Sequence, residues 1–151
     1  MTTELLPAQG REQLLLDTPF RAPDLARIRV RVDELASAAG LCQARRTEFV
    51  LAMHEVAGNA VRHGGGEGTL RLYLSADSLR CQVTDEGPGF DEDVIPRDPP
   101  APGASEDGRG LWIVRQLTDR IDIARGAVGA DVTFTMRLAA TAAHEADTSA
   151  W

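Results

Sequence analysis

No lysine occurs anywhere in this 151-residue sequence; all 16 basic residues are arginine. Schiff-base chemistry on lysine is therefore excluded, and so is a phosphate-binding loop of the kind that ends in Lys. Cysteine is almost as scarce. Cys42 and Cys81 are the only two, and neither has a CxxC neighbour, so free thiols in a reducing cytoplasm are expected rather than a disulfide. Apolar runs approaching the ~20 residues of a membrane span are missing. Met1 to Gly10 also lacks the basic start and apolar stretch of a secretory signal, so a soluble cytoplasmic protein is expected. Positive charge is in deficit: 23 acidic residues give a formal net charge of -7 and a pI near 4.9. A sequence-independent nucleic-acid surface needs clustered cations, and this balance argues against one.

What remains suits one globular domain. The chain is 43% hydrophobic, enough for a core that stands without staples, and too short for a second full domain. Gln13 to Asp17 reads as a short strand closed by Pro19. From Pro23 to Ala39, Leu25, Ile28, Val32 and Leu35 recur at helical spacing until Gly40 stops the run. A second helix is expected over residues 43–62. Its stripe of Phe49, Val50, Met53, Val56, Ala57, Ala60 and Val61 faces a sheet, while Glu48, Glu55, Asn59 and Arg62 fall on the opposite side. Glu55 and Asn59 stand one turn apart and point the same way. His54-Glu55 matches the first half of a zinc-protease helix, but Gly58 occupies the place of the second His, which excludes that site.

Thr69 to Ser75 and Leu79 to Thr84 alternate as an antiparallel hairpin. The parity of Leu79, Cys81 and Val83, carried forward, turns Asp85 to the buried side. A carboxylate there needs hydrogen-bond donors. Asp85 is either an acceptor aimed at a ligand such as a purine amino group or the opening residue of an Asp-x-Gly-Pro-Gly turn. Residues 91–107 hold four prolines and six acidic residues without apolar periodicity, and read as a lid loop. Gly108-Arg109-Gly110-Leu111 then opens a helix running to about Thr118, whose free N–H groups make a phosphate site. Asp119 to Ala124 and Val132 to Leu138 are two further strands, and residues 139–151 lack a core pattern.

Taken in order, Glu55-x-x-x-Asn59, Asp85-x-Gly87-x-Gly89 and Gly108-x-Gly110-Leu111 resemble the three boxes of the GHKL ATPase and kinase superfamily. The short stand-alone format is most similar to the bacterial anti-sigma-factor serine/threonine kinases. The resemblance implies a two-layer α/β sandwich, with helices on one face of a mixed, mostly antiparallel sheet and ATP held between the layers. It implies that Asn59 coordinates Mg²⁺ and that Glu55 is the general base. By the same resemblance Asp85 takes the adenine amino group, and Gly87 and Gly89 shape the base pocket. Gly108, Gly110 and Leu111 then cradle the phosphates, with Arg109 reaching the terminal one. The implied partners are an anti-anti-sigma protein and a sigma factor, with a homodimer as the oligomer. The layout expected is a flexible N-terminus over 1–10, an ATP-binding domain over 11–138 and a disordered tail over 139–151. The sequence departs from the family pattern at Gly129-Ala130, where a Gly-Thr pair commonly starts the last strand and its hydroxyl helps to hold the adenine. That departure supports a second reading, a non-catalytic switch module in which nucleotide sets affinity for a protein partner.

Overall fold

The computed structural model describes residues 12–87, 106–126 and 129–138. The expected N-terminus 1–10, the tail 139–151 and nearly all of the lid 91–107 lie outside the described residues.

Five strands form one sheet in the order β1-β2-β3-β5-β4: β1 Gln13–Arg21, β2 Glu67–Leu74, β3 Ser78–Asp85, β4 Arg120–Gly126 and β5 Gly129–Arg137. Three helices accompany it, α1 Leu25–Ala39, α2 Gln43–His63 and α3 Glu106–Leu117. The expected two-layer sandwich is therefore the fold. All four pairings among the described strands are antiparallel, so the parallel part of a mixed sheet is absent there.

Alternation decides which face the helices cover. Along β3 the odd-numbered positions Leu79, Cys81, Val83 and Asp85 are buried and the even ones half-buried. Leu70 and Leu72 of β2 and Val132, Phe134 and Met136 of β5 join them in one core. From the other layer Ile28, Val32 and Ala36 of α1 and Phe49, Met53 and Val56 of α2 close it. Phe49 meets Phe134 with ring centroids 5.0 Å apart and planes tilted by 56°, the edge-biased arrangement that aromatic quadrupoles favour. Cys81 is fully buried in this core, and desolvation pushes its thiol well above the ordinary value, which keeps it inert.

Two of the boundaries that differ from the sequence reading lie around Pro19 and Pro23, each for a physical reason. β1 continues through Pro19 to Arg21, with Pro19 opposite Thr69. β1 is an outer strand, and an edge has one side where a missing N–H interrupts no ladder. Pro23 falls in a 3-10 turn over Ala22–Asp24 before α1. The Arg21 amide donates to Asp24 at 2.9 Å and holds its carboxyl below the usual range. α1 ends as expected at Gly40, whose φ of 109° is the left-handed conformation that favours glycine.

Candidate nucleotide site

Asp85 is the last residue of β3 and, as its parity requires, only 8% exposed. Its Oδ1 accepts two backbone N–H donors, from Gly87 at 2.9 Å and from Ala130 of the neighbouring strand at 3.3 Å. Among the described residues both bonds fall on Oδ1, leaving Oδ2 as an acceptor for another donor. The carboxylate is thus oriented by main chain, which side-chain motion cannot disturb.

Three glycines make this placement possible. A methyl group added at Gly64, just past the end of α2, would collide with the Asp85 side chain. One added at Gly87 would collide with Gly64 Cα and the His63 carbonyl, and one at Gly129 with the Asp85 carbonyl. Gly129 also has φ 111°, so it could not be replaced without strain even if space were opened. The C-terminal end of α2, the end of β3 and the start of β5 therefore meet backbone to backbone around Asp85. Gly87→Ala is expected to overpack this junction, costing about 1–3 kcal/mol and lowering the melting temperature by roughly 3–10 °C. Thermal denaturation checks it, and an unchanged midpoint would show that the contact relaxes freely.

One layer away, α2 carries Glu55 and Asn59 along a single face. Sequence periodicity turns that face away from the sheet, but Asn59 is 4% exposed, and its neighbours Gly58 and Ala60 are buried as well. α3 packs on α2 beside Glu55. A methyl group at Gly110 would stand 2.6 Å from Glu55 Oε1, so the glycine lets the two helices close with the Glu55 carboxylate between them. Asn59 Oδ1 accepts a hydrogen bond from Arg62 Nη2 at 2.7 Å. Glu48, expected on the same face, pairs instead with Arg45 at 3.5 Å. His54 turns away toward α1, where it borders a groove with Ala26, Arg29, Val30 and Asp33.

α3 begins at Glu106, not after Gly110. The glycines thus lie within its first turns rather than before it. By helix geometry the N–H groups without intrahelical acceptors belong to residues no later than Gly108. Gly108 remains at that end, whereas the Arg109, Gly110 and Leu111 amides bond within the helix, and Leu111 is a core side chain, 1% exposed. Gly110 thus faces Glu55 across the contact between α2 and α3, and Leu111 is anchored in the core. Gly89 and the Arg109 side chain lie outside what the structure describes.

A cleft of about 450 Å³ opens beside Asp85 and Glu86 on the β1–β2 side, bordered by Phe20, Asp24, Gly68 and Thr84. Neither Glu55 nor Asn59 lines it, so it does not connect the carboxylate to the polar face of α2. Two participants escaped the sequence reading. Gly64 lies just past the helix with no side chain to mark it, and the Ala130 amide is hidden because Ala130 offers no side-chain chemistry. The triple glycine 64–66 held a signal: only Gly65 and Gly66 have positive φ, 88° and 89°, so Gly64 serves close approach.

Among the described residues no group of three or more His, Cys, Asp or Glu is placed to hold a metal ion. The Glu55–Asn59 face nevertheless fits a hard cation, since it offers oxygen ligands and Asn59 Oδ1 already holds a cationic guanidinium. Mg²⁺ typically uses one or two protein oxygens and completes its shell with phosphates and water.

Comparison with known proteins agrees with this geometry. The histidine kinase-like ATPase domain family matches residues 18–136. The chain is 28% identical over 123 residues to the serine-protein kinase RsbW of Bacillus cereus, covering 74% of this chain and 77% of that protein. Among solved structures it resembles the histidine kinase domain of a blue-light activated histidine kinase from Erythrobacter litoralis, with a TM-score of 0.50 and 23% identity over 78% of this chain. The chain spans 60% of the length of that structure. It also resembles the catalytic domain of the histidine kinase ThkA, with a TM-score of 0.52 and 17% identity, covering 82% of this chain and 99% of that one. These two likenesses concern the fold. A match over 18–136 takes in every strand and helix around Asp85: the chain belongs to the histidine kinase-like ATPase domain family, the group its three boxes resemble.

Proposed function

We propose that this protein is an ATP-dependent serine/threonine kinase of the anti-sigma-factor type, acting on an anti-anti-sigma protein and binding a sigma factor. The observation that carries the nucleotide reading is Asp85: a buried carboxylate with one oxygen fixed by two amides and the other left as an acceptor. An exocyclic amino group of adenine is the matching donor. The kinase reading adds Glu55, one turn from Asn59 on the helix that ends against Asp85. The choice of protein partners rests on the similarity to RsbW.

In this reading Asn59 supplies the protein ligand for Mg²⁺, and the open N–H groups up to Gly108 at the start of α3 receive phosphate oxygens. Mg²⁺, when bound, neutralises charge between the phosphates. Glu55 takes the proton of the acceptor hydroxyl as its oxygen bonds to the γ-phosphorus. The bond to the β–γ bridging oxygen breaks and ADP leaves. Phosphoryl transfer is mostly positioning and charge neutralisation, so no covalent nucleophile is required of the chain. Among the described residues no helix is long and apolar enough to cross a membrane, and a cytoplasmic setting belongs to the same proposal. Incubation with ATP, Mg²⁺ and an anti-anti-sigma protein is expected to add one phosphoryl group to a Ser or Thr, read by mass. No transfer in the presence of demonstrable ATP binding would remove the kinase reading.

That outcome would favour the non-catalytic switch, and one observation supports it. Ala130 is 1% exposed and reaches Asp85 only through its amide, so the hydroxyl that commonly helps to hold adenine is absent. Ala130→Thr is expected to tighten ATP binding by about 3–10-fold, the worth of one added hydrogen bond. Isothermal titration of both proteins checks this, and weaker or equal binding in the variant would show that Ala130 suits this site.

A further inference from the structure

The side chain that satisfies Asn59 is itself a cation, and it lies in a seat shaped for it. Arg62 Nη2 donates to Asn59 Oδ1 at 2.7 Å. A methyl group at Gly58 would stand 3.2 Å from Arg62 Nη1 and 3.8 Å from its Cζ. The guanidinium therefore rests over Gly58, in the space a side chain there would enter. Glycine in a helix interior is destabilising relative to alanine, and here its missing side chain leaves room for Arg62. Asn59 is not the sole partner of Arg62.

Resting on the reading of Asn59 as the metal-bearing amide, we infer that Arg62 is an internal cation that closes the metal position of the free protein. The amide oxygen is the ligand proposed for Mg²⁺, and in the nucleotide-free chain it is engaged by a positive group. An oxygen this buried cannot hold two cations side by side without strong mutual repulsion, because the surroundings screen them poorly. Mg²⁺ arriving with ATP takes Asn59 Oδ1 only once Arg62 has left it. The consequence is a nucleotide site whose occupancy depends more steeply on free Mg²⁺ than the ligands alone would make it. Gly58 and Arg62 form one device: the first holds the second in register with Asn59.

The test is ATP binding by isothermal titration across a Mg²⁺ series, for wild type, Arg62→Leu and Gly58→Ala. Arg62 is largely exposed, so the leucine variant retains the fold, which circular dichroism melting verifies. In Arg62→Leu the Mg²⁺ concentration giving half-maximal ATP binding is expected to fall about 3–10-fold, less than a fully buried charge-assisted hydrogen bond is worth because Arg62 is largely exposed. Gly58→Ala, which crowds the guanidinium and makes it shift by a few tenths of an ångström, should move the midpoint in the same direction by a smaller amount. An unchanged or higher Mg²⁺ midpoint in Arg62→Leu overturns the inference. So does an equal loss of ATP affinity with Mg²⁺ and with EDTA, which would make Arg62 a phosphate ligand. If wild type binds no ATP at any Mg²⁺ concentration, the nucleotide reading fails and takes this one with it. If wild type binds ATP and the variants match it, the metal gate alone fails.

Discussion

Asp85→Asn is expected to abolish most of the thermal stabilisation that ATP and Mg²⁺ confer while leaving the free protein folded. The reason lies in which oxygen does what. Asn keeps the Oδ1 that accepts the Gly87 and Ala130 amides, so the junction of β3, β5 and α2 persists. At the Oδ2 position it places an NH₂ group, a donor facing the donor of an adenine amino group. Ligand at a hundredfold excess over Kd stabilises a protein by about 2.7 kcal/mol, which for a chain of this size raises the melting temperature by roughly 5–10 °C. Losing a charge-assisted hydrogen bond removes about 1.5–3 kcal/mol of binding. Differential scanning fluorimetry at one ATP concentration should therefore show a shift of several degrees in wild type and about 2 °C or less in the variant. A variant that shifts as far as wild type would return Asp85 to the role of a turn residue.

Glu55→Gln separates chemistry from binding. The amide is isosteric with the carboxylate, so the close fit against Gly110 survives. It lacks the basicity to take a proton from a hydroxyl. General bases contribute typically ~10²–10⁴-fold, and single-turnover phosphotransfer to an anti-anti-sigma protein is expected to slow by about that factor. The ATP-induced thermal shift should stay close to that of wild type. Equal transfer rates in the two proteins would take the base role from Glu55. A lost thermal shift would place Glu55 in nucleotide binding instead.

Legibility in the sequence followed how local each cause was. The burial of Asp85 was readable because β3 alternates without interruption from Leu79 and parity needs only one strand. The burial of Asn59 was not, because a helical wheel knows its own axis and not the elements that pack around it. Periodicity turns Asn59 away from the sheet, and the assembled fold buries it. The start of α3 differs because glycines read as breakers, whereas the helix begins at Glu106 and runs through both of them. Pro19 closes a strand under local rules, and only the strand order, with β1 outermost, shows why it need not. The glycines around Asp85 were visible as residues but not as contacts. Gly64, Gly87 and Gly129 are far apart in the chain and meet only once the layers assemble.

The outermost strand has a bearing beyond the site. An unpaired row of amides and carbonyls along a sheet edge is a template for another chain, and long regular edges are where aggregation starts. β1 offers no such row. Pro19 withholds a donor near one end, and the pairing of β1 with β2 slips between Leu14 and Leu16 near the other. A second sheet approaching this edge could match it over only a few residues. The same proline that ends the strand in a local reading interrupts this edge as a template for another chain.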